Sequence, residues 1–436
     1  MKSDEALFWI WLAEAFGAGN GEFRTLLGMY DTPYNIFSAS AEELDRLTCI
    51  PERVKTALSN KDLREATRIA QTCEQMNIGI LTFSSPLYPQ LLREIKNPPL
   101  LLYCAGTIPK LDRIPAIAMV GTRRMSAYGM RTAYKIAYEL SAVGMTVISG
   151  MAAGIDGVCA AATLEAGGFP IAVLGCGLDR AYPTQHAPLM TAIGRHGLLL
   201  SEYPPGSRPI SYHFPVRNRI ISALSQGVVV VEAGLGSGSL ITAKEAVLQG
   251  KEVFAIPSGA EGIGEAGAES LLRDGAHFAS CTEDILNRYL YSFADRLRPD
   301  LLHRAEAHSA VNTAALERYG VLGSRTVILK RRDDASEPAP IGAHARVVPE
   351  KPKPREAART EPEAAGRKPA PQTDLPEGLS AVGKILMAKL AEAGKAVSLD
   401  ELVDAEVSYG QALSELTLLE LRGCVAKQPG GLYRKI

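Results

Sequence analysis

The chain has 436 residues, too many for one ordinary domain, and 46% of them are apolar, enough to bury at least one large core. With 47 basic and 48 acidic residues its net charge is −1, which excludes a diffuse positive field; any nucleic-acid contact must come from locally clustered Arg and Lys. The seven cysteines are dispersed without a C-x-x-C pair, which argues against a disulfide framework or a structural zinc site and for small core residues in a reducing compartment.

In chain order, residues 1–80 read as a helical module of the SAM or helix-hairpin-helix-like kind. Asp4 and Glu5 precede the apolar run 6–13 and Glu14 breaks it, and no later apolar run approaches about 20 residues, so neither a signal peptide nor a membrane span is read and a cytoplasmic protein is expected. Leu7-Phe8, Trp11-Leu12 and Ala15-Phe16 recur at helical spacing, Gly17-Ala18-Gly19-Asn20-Gly21 is a turn, and Pro51 opens a further helix. Such turns grip a DNA backbone in some proteins and only pack in others. Residues 81–112 read as a connector, Pro-rich and with one extended piece.

From 113 to 282 short apolar runs alternate with amphipathic helices: Ile117-Ala118-Met119-Val120, Thr146-Val147-Ile148, Ile171-Ala172-Val173-Leu174, Leu198-Leu199-Leu200, Val228-Val229-Val230-Val231 and Val253-Phe254-Ala255-Ile256. Near-continuous apolar strands between helices specify an α/β fold, a doubly wound Rossmann-like parallel sheet covered on both faces. Residues 283–373 hold helical fragments without an assigned place and, from 331, a charged Pro-rich linker expected to be disordered. In residues 374–436 an amphipathic helix (379–393), a capping box at Ser398-Leu399-Asp400-Glu401, a third helix (409–422) and a hairpin about Pro429-Gly430-Gly431 make a winged-helix layout.

In open parallel sheets ligands bind where loops leave the carboxyl ends of the strands. Here those loops are rich in small residues: Gly121-Thr122-Arg123-Arg124 after the first strand, Ser149-Gly150 through Gly154-Ile155-Asp156 after the second, Gly175-Cys176-Gly177 after the third, Ser201-Glu202 after the fourth, and Glu232-Ala233-Gly234 through Ser237-Gly238-Ser239 after the fifth. Glycines let backbone N–H groups approach a ligand and helix N-termini add partial positive charge, so phosphate is the natural occupant. The spacing Gly234-x-Gly236-x-Gly238 is not the dinucleotide fingerprint, so no NAD site or other cofactor is assigned. Arg123 stands where a guanidinium can fork onto phosphate. His213-Phe214-Pro215-Val216-Arg217-Asn218-Arg219 opens the helix before the fifth strand and interleaves cations with rings, the combination that single-stranded nucleic acid needs. His213 is a candidate to stack on a base. Arg217 and Arg219 have an alternative role, ion pairing with the rim acids Asp156, Glu202 or Glu232, which would orient them; both roles are compatible. Thr242 and Lys244 follow on the next helix, where Lys244 also reads as an ordinary solvated side chain. His186, His213 and His277 lack ligand spacing, so no metal is assigned.

These residues together resemble the DNA-processing protein A (DprA/Smf) family. The likeness is carried from about Tyr88 to Phe278 by Tyr88-Pro89-x-x-Leu92, Val120-Gly121-Thr122-Arg123, Ser149-Gly150-x-Ala152-x-Gly154-Ile155-Asp156, Tyr182-Pro183, Phe214-Pro215-x-Arg217-Asn218-Arg219 and Ser237-Gly238-Ser239-Leu240-Ile241-Thr242-Ala243. It implies a cytosolic, non-enzymatic protein of natural transformation that binds and protects incoming single-stranded DNA. It also implies help in loading the RecA recombinase and a homodimer formed through the Rossmann-like domain. The chain departs from the family pattern at Ala160, His186, Gly236, Ser258 and Glu269; losing a cation at Gly236 and gaining an acid at Glu269 should weaken phosphate attraction.

Two other readings stay open. A nucleotide hydrolase of the lysine-decarboxylase-like type would use Glu232 or Asp156 as base, but needs a Pro-Gly-Gly-x-Gly-Thr loop where Gly236-Ser237-Gly238-Ser239 stands. An adaptor would act through the winged helix, whose third helix carries Glu415 and Glu420 and is poorly suited to reading duplex, although Lys427, Arg434 and Lys435 on the wing are candidates for phosphate.

Overall fold

The computed structural model describes residues 3–257, 266–323, 326, 328–329, 380–393 and 397–402, and beyond these 412, 415–416, 419–420, 424–428 and 432–435. Six helices open the chain: α1 (Ser3–Phe16), α2 (Phe23–Tyr30), α3 (Pro33–Ser38), α4 (Ala41–Asp45), α5 (Glu52–Ser59) and α6 (Arg64–Gln75). Local chemistry sets their starts. Thr32 and Ser40 accept the N–H groups of Asn35 and Glu43, and Pro33 supplies a first residue that needs no N–H partner. Their shared apolar faces bury Ile10, Leu12, Phe16, Phe23, Leu26 and Ile69.

The sheet follows: β1 (Gly79–Thr82), α7 (Gln90–Glu94), β2 (Leu101–Gly106), β3 (Ala116–Val120), β4 (Met125–Ser126), α8 (Ala127–Ala142), β5 (Thr146–Ser149), α9 (Ile155–Glu165), β6 (Pro170–Leu174), α10 (Ala187–His196), β7 (Leu198–Ser201), α11 (His213–Ala223), β8 (Gly227–Val230), α12 (Gly238–Leu248), β9 (Glu252–Ala255), α13 (Ala266–Arg273) and β10 (His277–Phe278). Nine of these strands form one sheet in the order β1-β2-β7-β6-β5-β3-β8-β9-β10, parallel from β7 to β10. Alternate side chains enter two cores. Ile117, Met119, Val147, Ala172 and Val229 face the core shared with α8, α9 and the N-terminal helices, while Ala118, Val120, Ile148, Val173 and Val230 face α11 and α12. Both faces are covered, and this is why the strands read as unbroken apolar runs.

One edge differs from the sequence reading. The stretch taken as a connector supplies α7 and β2, and β2 pairs antiparallel with both β1 and β7. The prolines at 86, 89, 98 and 99 flank these elements rather than interrupt them. The fragments after 282 also find their places: α14 (Thr282–Leu286), α15 (Leu302–Glu306), α16 (Thr313–Arg318) and β11 (Ile328–Leu329), which pairs parallel with β4. Buried Glu139 of α8 accepts the hydroxyls of Thr282 at 2.5 Å and Ser309 at 2.7 Å. Glu165, ending α9, receives Asn312, Arg318 and Tyr319.

The linker expected at 331–373 lies outside the described residues. A second unit, residues 332–436, contains α17 (Ala381–Ala393), β12 (Val397–Ser398), α18 (Leu399–Leu402), β13 (Val425–Gln428) and β14 (Leu432–Lys435). Its strands order β12-β14-β13, all antiparallel, over a core that includes Leu386, Leu390, Leu416, Leu419 and Tyr433. Most of the expected third helix and the Pro429-Gly430-Gly431 turn fall outside the described residues. Among the described residues no helix is long and apolar enough to cross a membrane.

Candidate single-stranded nucleic-acid interface

From β3 the chain winds outward through β5, β6 and β7, then returns beside β3 as β8 and winds the other way through β9 and β10. Adjacent loops after β3 and β8 therefore diverge, and a crevice opens at the carboxyl ends of these strands. It encloses about 580 Å³. Its walls come from Gly121, Thr122, Arg123 and Arg124 after β3, Ala152 and Asp156 after β5, Phe214, Arg217 and Asn218 of α11, and Ser237, Gly238, Ser239 and Thr242 at the start of α12. Two helix N-termini thus contribute to one cleft, which favours an anion there.

The cations differ in kind. Arg123 and Arg124 are exposed. The Arg123 guanidinium lies 5.1 Å from the centre of the Phe214 ring, and the Tyr182 ring packs against Phe214 with ring centres 5.2 Å apart. Arg217 is 4% exposed, and its guanidinium donates to the Val173 carbonyl. It rests on Gly150, where a Cβ would stand 2.2 Å from Nη1. Asp156 accepts the Gly150 N–H at 3.1 Å. Burial raises the Asp156 carboxyl above its ordinary value, opposed chiefly by the neighbouring Arg217, while burial pushes Arg217 down to about 10. Arg217 remains a cation at neutral pH.

Several residues expected in the site lie elsewhere. Arg219 is not on the cleft: Nη2 meets Glu202 Oε1 at 2.7 Å, Nε donates to the Asn97 carbonyl at 2.8 Å and Nη1 to the Val216 carbonyl at 3.1 Å. The ion-pair alternative holds for this residue: its guanidinium is buried, turned to Glu202 and away from the cleft lining. His213 does not present its ring for stacking. It is buried, stacked on Tyr203 with ring centres 3.8 Å apart, and its Nδ1 lies 3.0 Å from the Gly175 carbonyl. Lys244 is exposed on α12 but outside the cleft lining. Ser149 is buried at the end of β5. Gly154 has φ of +78°, and a Cβ there would strike the Thr122 carbonyl at 2.3 Å, so it shapes the rim without lining it. Glu232, expected to orient an arginine, accepts the N–H of Ser126 at 3.0 Å and its hydroxyl at 3.1 Å and so fixes the start of α8.

Arg124 and Tyr182 were missed as site residues. Arg124 adjoins Arg123 in sequence, whereas Tyr182 joins the cleft only through the fold. Among the departures, Gly236 lines the cleft and its Cβ would meet nothing within 4 Å. Glu269 lies on α13, 3.2 Å from Arg273 and off the cleft lining, so the added acid is not at the anion site. Ala160 is buried in α9. Ser258 lies outside the described residues.

A family profile described as DNA recombination-mediator protein A matches residues 79–290. The chain is 36% identical over 242 residues to the DNA processing protein DprA of Bacillus subtilis, a match covering 55% of this chain and 82% of that protein. It is 41% identical over 203 residues to the DNA processing protein DprA of Streptococcus pneumoniae, covering 46% of this chain and 71% of that one. The X-ray structure of DNA processing protein A from Streptococcus pneumoniae aligns with a TM-score of 0.56 at 32% identity, over 64% of this chain and 97% of that chain.

Proposed function

Because the chain belongs to the DNA-processing protein A family, we propose that its switch-point cleft holds a single-stranded DNA backbone without cleaving it. The observation that carries this reading is the grouping of exposed Arg123 and Arg124 with the Phe214 and Tyr182 rings in one cleft that the first turns of α11 and α12 also line. Cations and N-terminal amides suit phosphate; rings suit the face of a base, and only an unpaired base exposes that face. Gly121, Thr122, Asn218, Ser237, Gly238, Ser239 and Thr242 provide the surrounding small and polar wall.

Holding is favoured over hydrolysis by the acids. Asp156 is buried and bonded to the loop amide of Gly150, and Glu232 is bonded to Ser126, so each has a positioning task where a hydrolase would need a base aimed at water. In the cell the protein is read as cytoplasmic, protecting incoming DNA during natural transformation, helping RecA to load and acting as a homodimer. The winged-helix unit is read as a protein contact or packing module.

Fluorescence anisotropy with an oligothymidylate, competed by duplex of equal length, tests the reading. Single strand should bind and duplex should compete poorly. Equal competition, or release of free base from nucleoside monophosphates incubated with the protein, would overturn it.

A further inference from the structure

Beyond the cleft, the segment 204–212 between β7 and α11 builds a second surface. It is stitched to the loop after β6: Gly177 N–H donates to the Ser207 carbonyl at 3.1 Å, and Gly206 N–H to Asp179 Oδ1 at 2.8 Å. Pro209 and Ser211 of this segment line the cleft, so the surface continues its wall. At its end Tyr212 is 59% exposed.

A single exposed aromatic residue needs no explanation. What distinguishes Tyr212 is what fixes it. Its ring meets His213 edge-on with centres 4.6 Å apart, and His213 is stacked on buried Tyr203 and tied to the Gly175 carbonyl. The exposed ring therefore stands on a two-ring pedestal and loses little freedom on binding. Arg208 belongs to the same segment: it is exposed, and no carboxylate pairs with it among the described residues. Nearby Arg180, by contrast, is paired with Asp179 at 3.1 Å.

We infer that Tyr212 is a second base-stacking platform, which carries the strand out of the cleft past Phe214, with Arg208 supplying charge to its backbone. Residues 212, 213 and 214 are consecutive at the start of α11, and their rings divide the work. Phe214 faces the cleft with Tyr182 and Arg123, His213 is the buried support, and Tyr212 faces solvent. The inference rests on the single-strand reading of the cleft.

Photo-crosslinking of the full chain tests it, using oligothymidylates that carry one 5-iodouracil at successive positions and mapping the modified peptides by mass spectrometry. One position should crosslink to Tyr212 and another to Tyr182 or Phe214. Tyr212→Ala should bind a long strand about tenfold more weakly, with Tyr212→Phe near wild type. Crosslinks confined to Tyr182 and Phe214, with Tyr212→Ala binding unchanged, would overturn the second platform and leave the cleft standing. If the Arg123→Ala, Arg124→Ala double variant also bound unchanged, the cleft reading itself would fall. Crosslinking uses the unmodified protein, so a poorly folded Ala variant does not block the decision.

Discussion

Arg219 Nη2 lies 2.7 Å from Glu202 Oε1, and the two side chains are only 8% and 7% exposed. The same carboxylate oxygen accepts the Gly19 N–H at 3.2 Å, so this pair joins α11 to the turn between α1 and α2. Removing one partner of such a pair strands the other charge, typically at about 3–5 kcal/mol. Glu202→Ala should lower the urea midpoint substantially, with Arg219→Lys also destabilised because an ammonium cannot replace the guanidinium's fork onto Glu202, Asn97 and Val216. An unchanged midpoint would show that the pair contributes nothing to holding the N-terminal helices.

Gly150 is the floor beneath the Arg217 guanidinium. Gly150→Ala places a Cβ 2.2 Å from Nη1, and the side chain must leave its seat on the Val173 carbonyl. Loss of a charge-assisted contact is worth about 1.5–3 kcal/mol, so single-strand affinity should fall by roughly 10- to 100-fold. Binding titration beside thermal melting checks this; wild-type affinity in a folded Gly150→Ala protein would remove Arg217 from the binding site.

Gly236 offers a gain rather than a loss. Its Cβ direction is open and it lines the cleft, so Gly236→Lys adds a cation without a clash. One further phosphate contact should tighten binding several-fold at low salt and steepen the salt dependence by about 0.7 in the log–log slope. No change in slope would mean that the strand does not pass this loop.

Acid should weaken the fold through His186. The residue is fully buried, its Nδ1 lies 3.1 Å from the Met151 carbonyl, and burial holds its pKa below the ordinary 6.5. A depressed folded pKa means that the unfolded chain binds more protons. The contribution is therefore complete above 6.5 and is lost as pH falls through the folded value. His213, lowered for the same reason, adds to the slope. Urea midpoints should drop on going from neutral to mildly acidic pH, and His186→Asn should flatten that drop; an identical pH slope in the variant would contradict the assignment.

The parallel strands, their order of appearance and the loops that form the cleft were legible in the sequence because burial on both faces writes itself as apolar runs, and glycine marks backbone approach. Long-range partnership was not legible. Arg219 and Arg217 share one motif two residues apart, yet helical rotation sends one to Glu202 and the other to the cleft. Rings behaved alike: Phe214 faces the cleft and adjacent His213 turns inward onto Tyr203. The place of residues 283–323 depends on buried Glu139, whose partners Thr282 and Ser309 lie 143 and 170 positions away. Strand β2, flanked by prolines, was legible only as an extended piece of a connector, because its pairing with β1 and β7 is also a long-range partnership.

The most direct measurement is a salt series of oligothymidylate binding by the wild type and the Arg123→Ala, Arg124→Ala double variant, both replaced residues being exposed and so separable from folding. Wild-type affinity should fall linearly on log–log axes with a slope of about −0.7 per phosphate held, and the variant should bind more weakly with a slope shallower by about 1.4. Equal affinities and equal slopes would contradict the claim that this cleft holds the strand.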